Sequence, residues 1–283
     1  MENPVIQHVS DTALWVASYR AKETARPDAV FKDPFAAVLA GEKGMDMQAR
    51  TPDSNILAFV ITVRTTGIDT LVHRAIELGA DAVINLGAGL DSRPYRMNLP
   101  KDLKWFEVDF PGIIDYKTKI LADKTPVCKL ERMKVDLSNI AEREQAFTTL
   151  NSQVKKAVVI TEGVIPYLTN DEAASLSRSI YNMPNVQYWI QEYRRGIAYR
   201  GRNSGGFYKM LQNSPFKFEI EEPLEFFGKD GWNVKQDIRM VDEGNRIGRR
   251  FPLRWQLRIS RLFMAKKIDE VMNRSFGLVL FEK

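Results

Sequence analysis

The chain has 283 residues, of which 44% are hydrophobic and 27% charged, and a formal net charge of +5. That is the make-up of a globular protein with apolar material for one sizeable core, and one large domain is expected. The single cysteine, Cys128, excludes an internal disulfide and a thiolate metal site; with only His8 and His73 as histidines, no metal centre is expected.

The first segment lacks a basic n-region followed by an apolar run, and no stretch of about 18 apolar residues occurs, so a cytoplasmic protein with no membrane partner is expected. Ala13, Leu14, Ala17 and Ala21 recur at helical spacing behind Ser10 or Asp11, either of which suits an N-cap, until Pro27 interrupts them. A second short helix is expected near Pro34. A longer helical stretch from Asn55 to Leu78 stops at Gly79, a residue suited to a helix C-terminus.

Five strand-like runs follow: Ala82 to Leu86, Leu103 to Val108, Lys129 to Val135, Ala157 to Thr161 and Val186 to Glu192. The intervals between them can hold crossover helices; one carries Ala173, Leu176 and Ile180 behind a cap at Asn170 or Asp171. Strands apolar on both faces and joined in this way predict a parallel sheet covered on both sides.

After residue 193 the rhythm stops. Residues 194–230 mix Gly, Arg, Pro and aromatics without one period, as a lid over the sheet would, and its aromatics are available to line a pocket. The end is read as a strand from Trp232 to Met240, a basic helix from Leu253 to Met272 and a closing strand from Gly277. The positive excess is concentrated in Arg194 to Arg202 and Arg239 to Lys267; a solvated helix face accounts for it, and no nucleic-acid partner is expected.

Chemistry is densest at the strand ends. The run Ile84-Asn85-Leu86-Gly87-Ala88-Gly89-Leu90-Asp91-Ser92 is a strand entering a glycine-rich turn, which lets a ligand approach the backbone closely. A dinucleotide fingerprint needs a third glycine or alanine where Ser92 stands, so hydride transfer with a nicotinamide cofactor is the weaker reading. Asp109, followed by Phe110, ends the second strand about 20 residues on, where a carboxylate can accept both hydroxyls of a ribose. Asp136 closes the third strand, where it can face the exocyclic amine of an adenine that Leu137 covers, and Glu162 closes the fourth, where it can pair with a sulfonium or an amino group. Three acids and a glycine turn at one sheet edge are a less accidental arrangement than any one of them.

At these residues the sequence resembles the leucine carboxyl methyltransferase family, including its branch of polyketide O-methyltransferases related to the tetracenomycin enzyme. The resemblance runs through TALWVASYRAKETARPDAVFKDPFA, VRTTGID, VINLGAGLDSRPYRM, WFEVDFPGIIDYKTKIL, VDL and AVVITEGVIPYLTNDE, most of residues 12–193, and fades beyond. It implies an α/β fold of the class I methyltransferase type: a Rossmann-like, seven-stranded, mostly parallel sheet with helices on both faces. Residues 1–80 would form an N-terminal helical region, 81–193 the cofactor-binding core, 194–230 the lid insertion and 231–283 the C-terminal strands and helix.

The resemblance also implies S-adenosylmethionine as cofactor and S-adenosylhomocysteine as product. Arg20 and Arg64 would meet the methionine carboxylate, Gly87 the backbone side of the ligand, Asp109 the ribose, Asp136 and Leu137 the adenine, and Glu162 the amino group, with Ala88, Gly89 and Phe110 as further cofactor-binding residues. Tyr167 falls where the family places a tyrosine near the acceptor, and the implied acceptor is a carboxylate or hydroxyl of a small molecule or peptide terminus. A carboxylate acceptor is ionised at neutral pH and needs no general base, whereas a phenol does; the scarcity of histidine favours the carboxylate, and His73 is not expected to act as a base. The alternatives are a cofactor-binding relative without activity, a nicotinamide-dependent oxidoreductase, and an enzyme that methylates RNA.

Overall fold

Ala82–Leu86 forms β1, an all-buried interior strand of a seven-stranded sheet of order β3-β2-β1-β4-β5-β7-β6. The structure, a computed structural model, describes residues 9–51, 54–195, 214–252, 270–271 and 273–283. Three helices precede β1: α1 (Val9–Thr24), α2 (Ala36–Ala49) and α3 (Ser54–Glu77). There follow α4 (Arg93–Arg96), β2 (Lys104–Asp109), α5 (Pro111–Ile120), β3 (Lys129–Lys134), α6 (Ile140–Gln153) and β4 (Ala157–Ile160). A 3₁₀ turn at Ile165–Tyr167 leads to α7 (Asn170–Tyr181), β5 (Val186–Arg194), α8 (Pro223–Gly228), β6 (Asn233–Arg239), α9 (Met240–Arg246) and β7 (Phe276–Glu282).

β1 to β5 are parallel, and β7 runs antiparallel to both β5 and β6. The two faces of the sheet carry separate cores. On one, Ile84, Phe106 and Trp189 pack against Phe147 of α6, Leu176 of α7 and Phe227 of α8. On the other, Val83, Trp105 and Ile190 pack against Ile68, Leu71 and Val72 of α3. Helices on both faces are what doubly apolar strands require, since no face is left for water. The winding direction reverses between β1 and β4, and in open α/β sheets the carboxyl edge at such a point is where ligands bind.

The five parallel strands lie within one residue of their expected starts, and β5 continues two residues past Glu192, to Arg194. Two helix starts and one helix length differ from expectation. α1 begins at Val9, so Ser10 and Asp11 lie in its first turn rather than at its cap. α2 runs for 14 residues across a kink at Gly41. α7 is capped by Thr169, which with Glu172 forms a capping box, rather than by Asn170 or Asp171. Met240 opens α9 instead of closing the sixth strand. The expected lid lies outside the described residues at 196–213, as does most of the expected basic helix, at 253–269 and 272. Among the described residues α3 alone is long and apolar enough to cross a membrane by length and composition, and 61% of its most apolar window is buried in the fold.

Candidate active site

Gly87 and Gly89 turn the chain at the end of β1 with φ of +64° and +48°, a region costly for residues with a Cβ. Their turn is anchored to the neighbouring strand, because Gly87 N and Ala88 N both donate to Val108 O, at 2.8 and 3.2 Å. A side chain at Gly87 would also collide with Val164, whose Cγ2 lies 2.5 Å from the position of a Cβ. Asp109, the last residue of β2, accepts from Gly89 N at 2.6 Å through Oδ2 and from Phe110 N at 2.7 Å through Oδ1. Burial pushes this carboxyl above its ordinary range, and the two amide donors oppose that. Two of its roughly four lone-pair sites are thereby used, which leaves acceptor capacity for a ligand's hydroxyls.

Beyond β4, Glu162 stands among arginines. Its Oε1 lies 2.8 Å from Arg64 Nε and its Oε2 accepts from Arg93 Nη1 at 2.8 Å. Arg64, buried on α3, also donates from Nη1 to Glu192 Oε2 at 2.9 Å. Arg93 bridges onward to Asp91 Oδ2 at 2.9 Å and Asp69 Oδ1 at 2.7 Å, and Arg96 grips the same Asp69 with two nitrogens. Burial alone would raise Glu162, but Arg93 and Arg64 outweigh it and hold the carboxyl below its usual range. Asp91 is likewise held low, chiefly by Arg93, against a burial effect of opposite sign.

Of these groups, Arg64, Asp91, Asp109, Glu162 and Glu192 line one cavity of about 830 Å³, which falls in the range of small-molecule sites. Arg20, Arg64, Gly87, Ala88, Gly89, Asp109, Phe110, Leu137, Glu162 and Tyr167 all line it. Arg20 is held by Asp33 at 2.9 Å and donates to Leu90 O at 2.5 Å. Asp136 is the exception. It lies off the lining, and its Oδ1 accepts from Ser138 N and Oγ at 2.9 and 2.6 Å, closing the turn that leads into α6. The slot beside it is apolar, with Ile113, Val135, Leu137 and Ile140 among its walls. His73 is exposed on α3 and away from the cavity, while His8 lies outside the described residues.

At the other end the cavity is bounded by Trp15, Ile61, Tyr167 and Phe216. Tyr167 packs on Phe216 with ring centroids 5.3 Å apart, and the guanidinium of Arg194 lies 4.3 Å from the Phe216 centroid. Burial pushes the Tyr167 hydroxyl upward in pKa, so it is protonated at neutral pH and can donate. Asp91, Arg93 and Glu192 are site residues that sequence reasoning missed. Glu192 carried the signal that singled out Asp109 and Glu162, an acid at the carboxyl end of a parallel strand. Arg93 had only its place just after the glycine turn.

The cradle has the chemistry to take a nucleoside amino acid: glycines where a Cβ would intrude, an acid that ends β2, an apolar slot, and paired arginines and acids. Fold and site together define a class I S-adenosylmethionine-dependent methyltransferase. A model of the leucine carboxyl methyltransferase family matches residues 13–181, and the chain belongs to that family. It is 33% identical over 238 residues to a Frankia alni protein with the provisional name S-adenosyl-L-methionine-dependent methyltransferase, a match covering 79% of this chain and 82% of that one. A Streptomyces coelicolor protein with the same provisional name is 35% identical over 172 residues, 56% of this chain and 60% of the relative's length. Among solved structures, a DUF574 family protein from Streptomyces avermitilis shares the fold at a TM-score of 0.57 and 13% identity, covering 94% of this chain and 96% of that one.

Proposed function

We propose that the enzyme transfers a methyl group to an oxygen, a carboxylate or a hydroxyl, of a small molecule or a peptide C-terminus. The observation that carries this reading is one continuous cavity, in which the glycine turn and strand-end acids share walls with an aromatic chamber that includes Tyr167. S-Adenosylmethionine, when bound, supplies a methyl group on a positively charged sulfur. Asp109 would hold the ribose, Leu137 would cover the adenine, and Arg20, Arg64 and Glu162 would take the amino-acid end.

The protein's part is then position and exclusion of water. Trp15 of α1 and Ile61 of α3 supply apolar wall to the cavity, and an acceptor held against the sulfonium end would need little further motion to react. The neutral Tyr167 hydroxyl can donate to an ionised acceptor oxygen and orient it. A carboxylate suits this arrangement, because it arrives deprotonated and asks for no base.

The test is incubation with methyl-labelled S-adenosylmethionine and a panel of carboxylic acids, each paired with its hydroxylated, non-acidic analogue. Label recovered as methanol after mild alkali identifies an ester, as expected; alkali-stable label identifies an ether. Absence of transfer to every member, with cofactor binding intact, would favour a relative that binds without catalysis.

A further inference from the structure

Arg249 departs from the solvated face expected of the basic stretch: only 15% of its side chain is exposed. Its place is set by the residues before it. α9 ends in a glycine-capped turn, with Gly248 at φ +72° donating from N to Asn245 O at 3.2 Å and Arg249 N donating to Gly244 O at 2.7 Å. Gly244 has no room for a side chain, because a Cβ there would lie 2.6 Å from Phe59 of α3 and 2.7 Å from Arg249 O. The Arg249 backbone is thereby fixed beside α3, and its guanidinium crosses to the N-terminal helices.

There Nη2 donates to Glu23 Oε1 at 2.7 Å and to Asp28 O at 2.5 Å, and Nη1 donates to Asp28 Oδ2 at 3.0 Å. Glu23, in the last turn of α1, is buried, and the same Oε1 accepts from Val30 N at 3.0 Å. Arg26 is a poor substitute, half exposed and 3.6 Å from Glu23. The loop held by these contacts carries Asp33, whose N donates to Thr24 Oγ1 at 2.9 Å and whose buried Oδ2 accepts from Arg20 Nε at 2.9 Å. Arg20 lines the cavity with a second nitrogen on Leu90 O. A guanidinium placed in advance by fixed partners grips a carboxylate without the cost of being ordered first. We infer that Arg249 is a positioning residue for the cofactor's carboxylate: through Glu23 and Asp28 it fixes the loop whose Asp33 sets the Arg20 guanidinium. This rests on the cofactor reading above, with the amino-acid end at Arg20.

The experiment is calorimetric titration of the full chain with S-adenosylmethionine and with its decarboxylated form, which keeps the sulfonium and the amine and lacks the carboxylate. Wild type is expected to bind the complete cofactor about tenfold or more tightly, the worth of a charged hydrogen-bonded pair. Arg249→Gln should weaken the complete cofactor about three- to tenfold and the decarboxylated form by less than about twofold. In an Arg20→Ala background the same substitution should add less than about twofold, because the two residues act through one contact. Asp28→Asn, at an exposed position where folding is not at risk, should give the selective loss in smaller measure, about threefold. Equal loss for both ligands, or loss for neither, in a folded variant overturns the inference, since a purely structural role does not sense the carboxylate. Wild type that binds both ligands equally overturns instead the reading that puts the amino-acid end at Arg20, and folded wild type that binds neither overturns the cofactor reading itself.

Discussion

At Gly87 two penalties fall on any side chain. The backbone φ of +64° costs a residue with a Cβ about 1–2 kcal/mol, and Val164 Cγ2 would sit 2.5 Å from the new carbon. Gly87→Ala is expected to lower unfolding free energy by about 2–4 kcal/mol in denaturant titrations. Adding Val164→Ala should return the steric part only. The turn was legible because glycine requirements are local. Asp109 and Glu162 were legible for a related reason, as acids that end apolar strands. Arg93 was not, since its meaning lies in Asp69, Asp91 and Glu162, contacts made 2 to 69 positions away. The position of Asp136 off the cavity was equally hidden, because a side chain's turn toward Ser138 depends on local hydrogen bonding that a strand-end rule does not see.

The same acids fix a pH dependence. Asp91 and Glu162 have folded-state pKa values below their unfolded ones, so the unfolded chain binds more protons as pH falls. Their contribution to stability is full at neutral pH and is lost as pH falls through the ordinary carboxylate range toward the lowered folded values. Glu162→Gln is expected to flatten the fall in unfolding free energy between about pH 5 and pH 3. An unchanged slope would mean that neither arginine contact reaches the carboxylate in solution.

Among the elements, α7 shows how a helix start is set and how it was misread. Thr169 accepts from Glu172 N at 3.3 Å and Glu172 answers by accepting from Thr169 N at 2.7 Å. Thr169, Asn170 and Asp171 are all good caps in isolation, and the glutamate three residues beyond Thr169 was the signal that distinguished them. Thr169→Ala is expected to cost about 1 kcal/mol, read from the shift in denaturant midpoint at constant slope. β3 was the faintest strand in the sequence because it is an edge strand whose residues are only half-buried or exposed, whereas β1 and β4 are buried throughout. The antiparallel course of β7 left no local trace, because an alternating strand reads the same in either direction.

For the molecule as a whole, the useful reporter is Cys128. Burial, helped by Glu107, pushes its thiol up to about 11, so at pH 8 it is both covered and protonated. Alkylation is expected only when the sheet edge opens with the rest of the fold. S-Adenosylhomocysteine at about 100 times its dissociation constant should slow labelling about 100-fold, by reducing the open population. Labelling that ignores the ligand would show that the β2–β3 edge opens independently of the site.

The central claim is that the carboxyl edge of this sheet holds S-adenosylmethionine, with Asp109 at the ribose. Calorimetric titration of wild type and Asp109→Ala with the cofactor, in one buffer and with folding verified, tests it most directly. Saturable binding that the substitution weakens by about 1–3 kcal/mol is the predicted result, the cost of leaving hydrogen-bonding groups unpaired. Binding that Asp109→Ala leaves unaltered, or a folded wild type that does not bind, would contradict it.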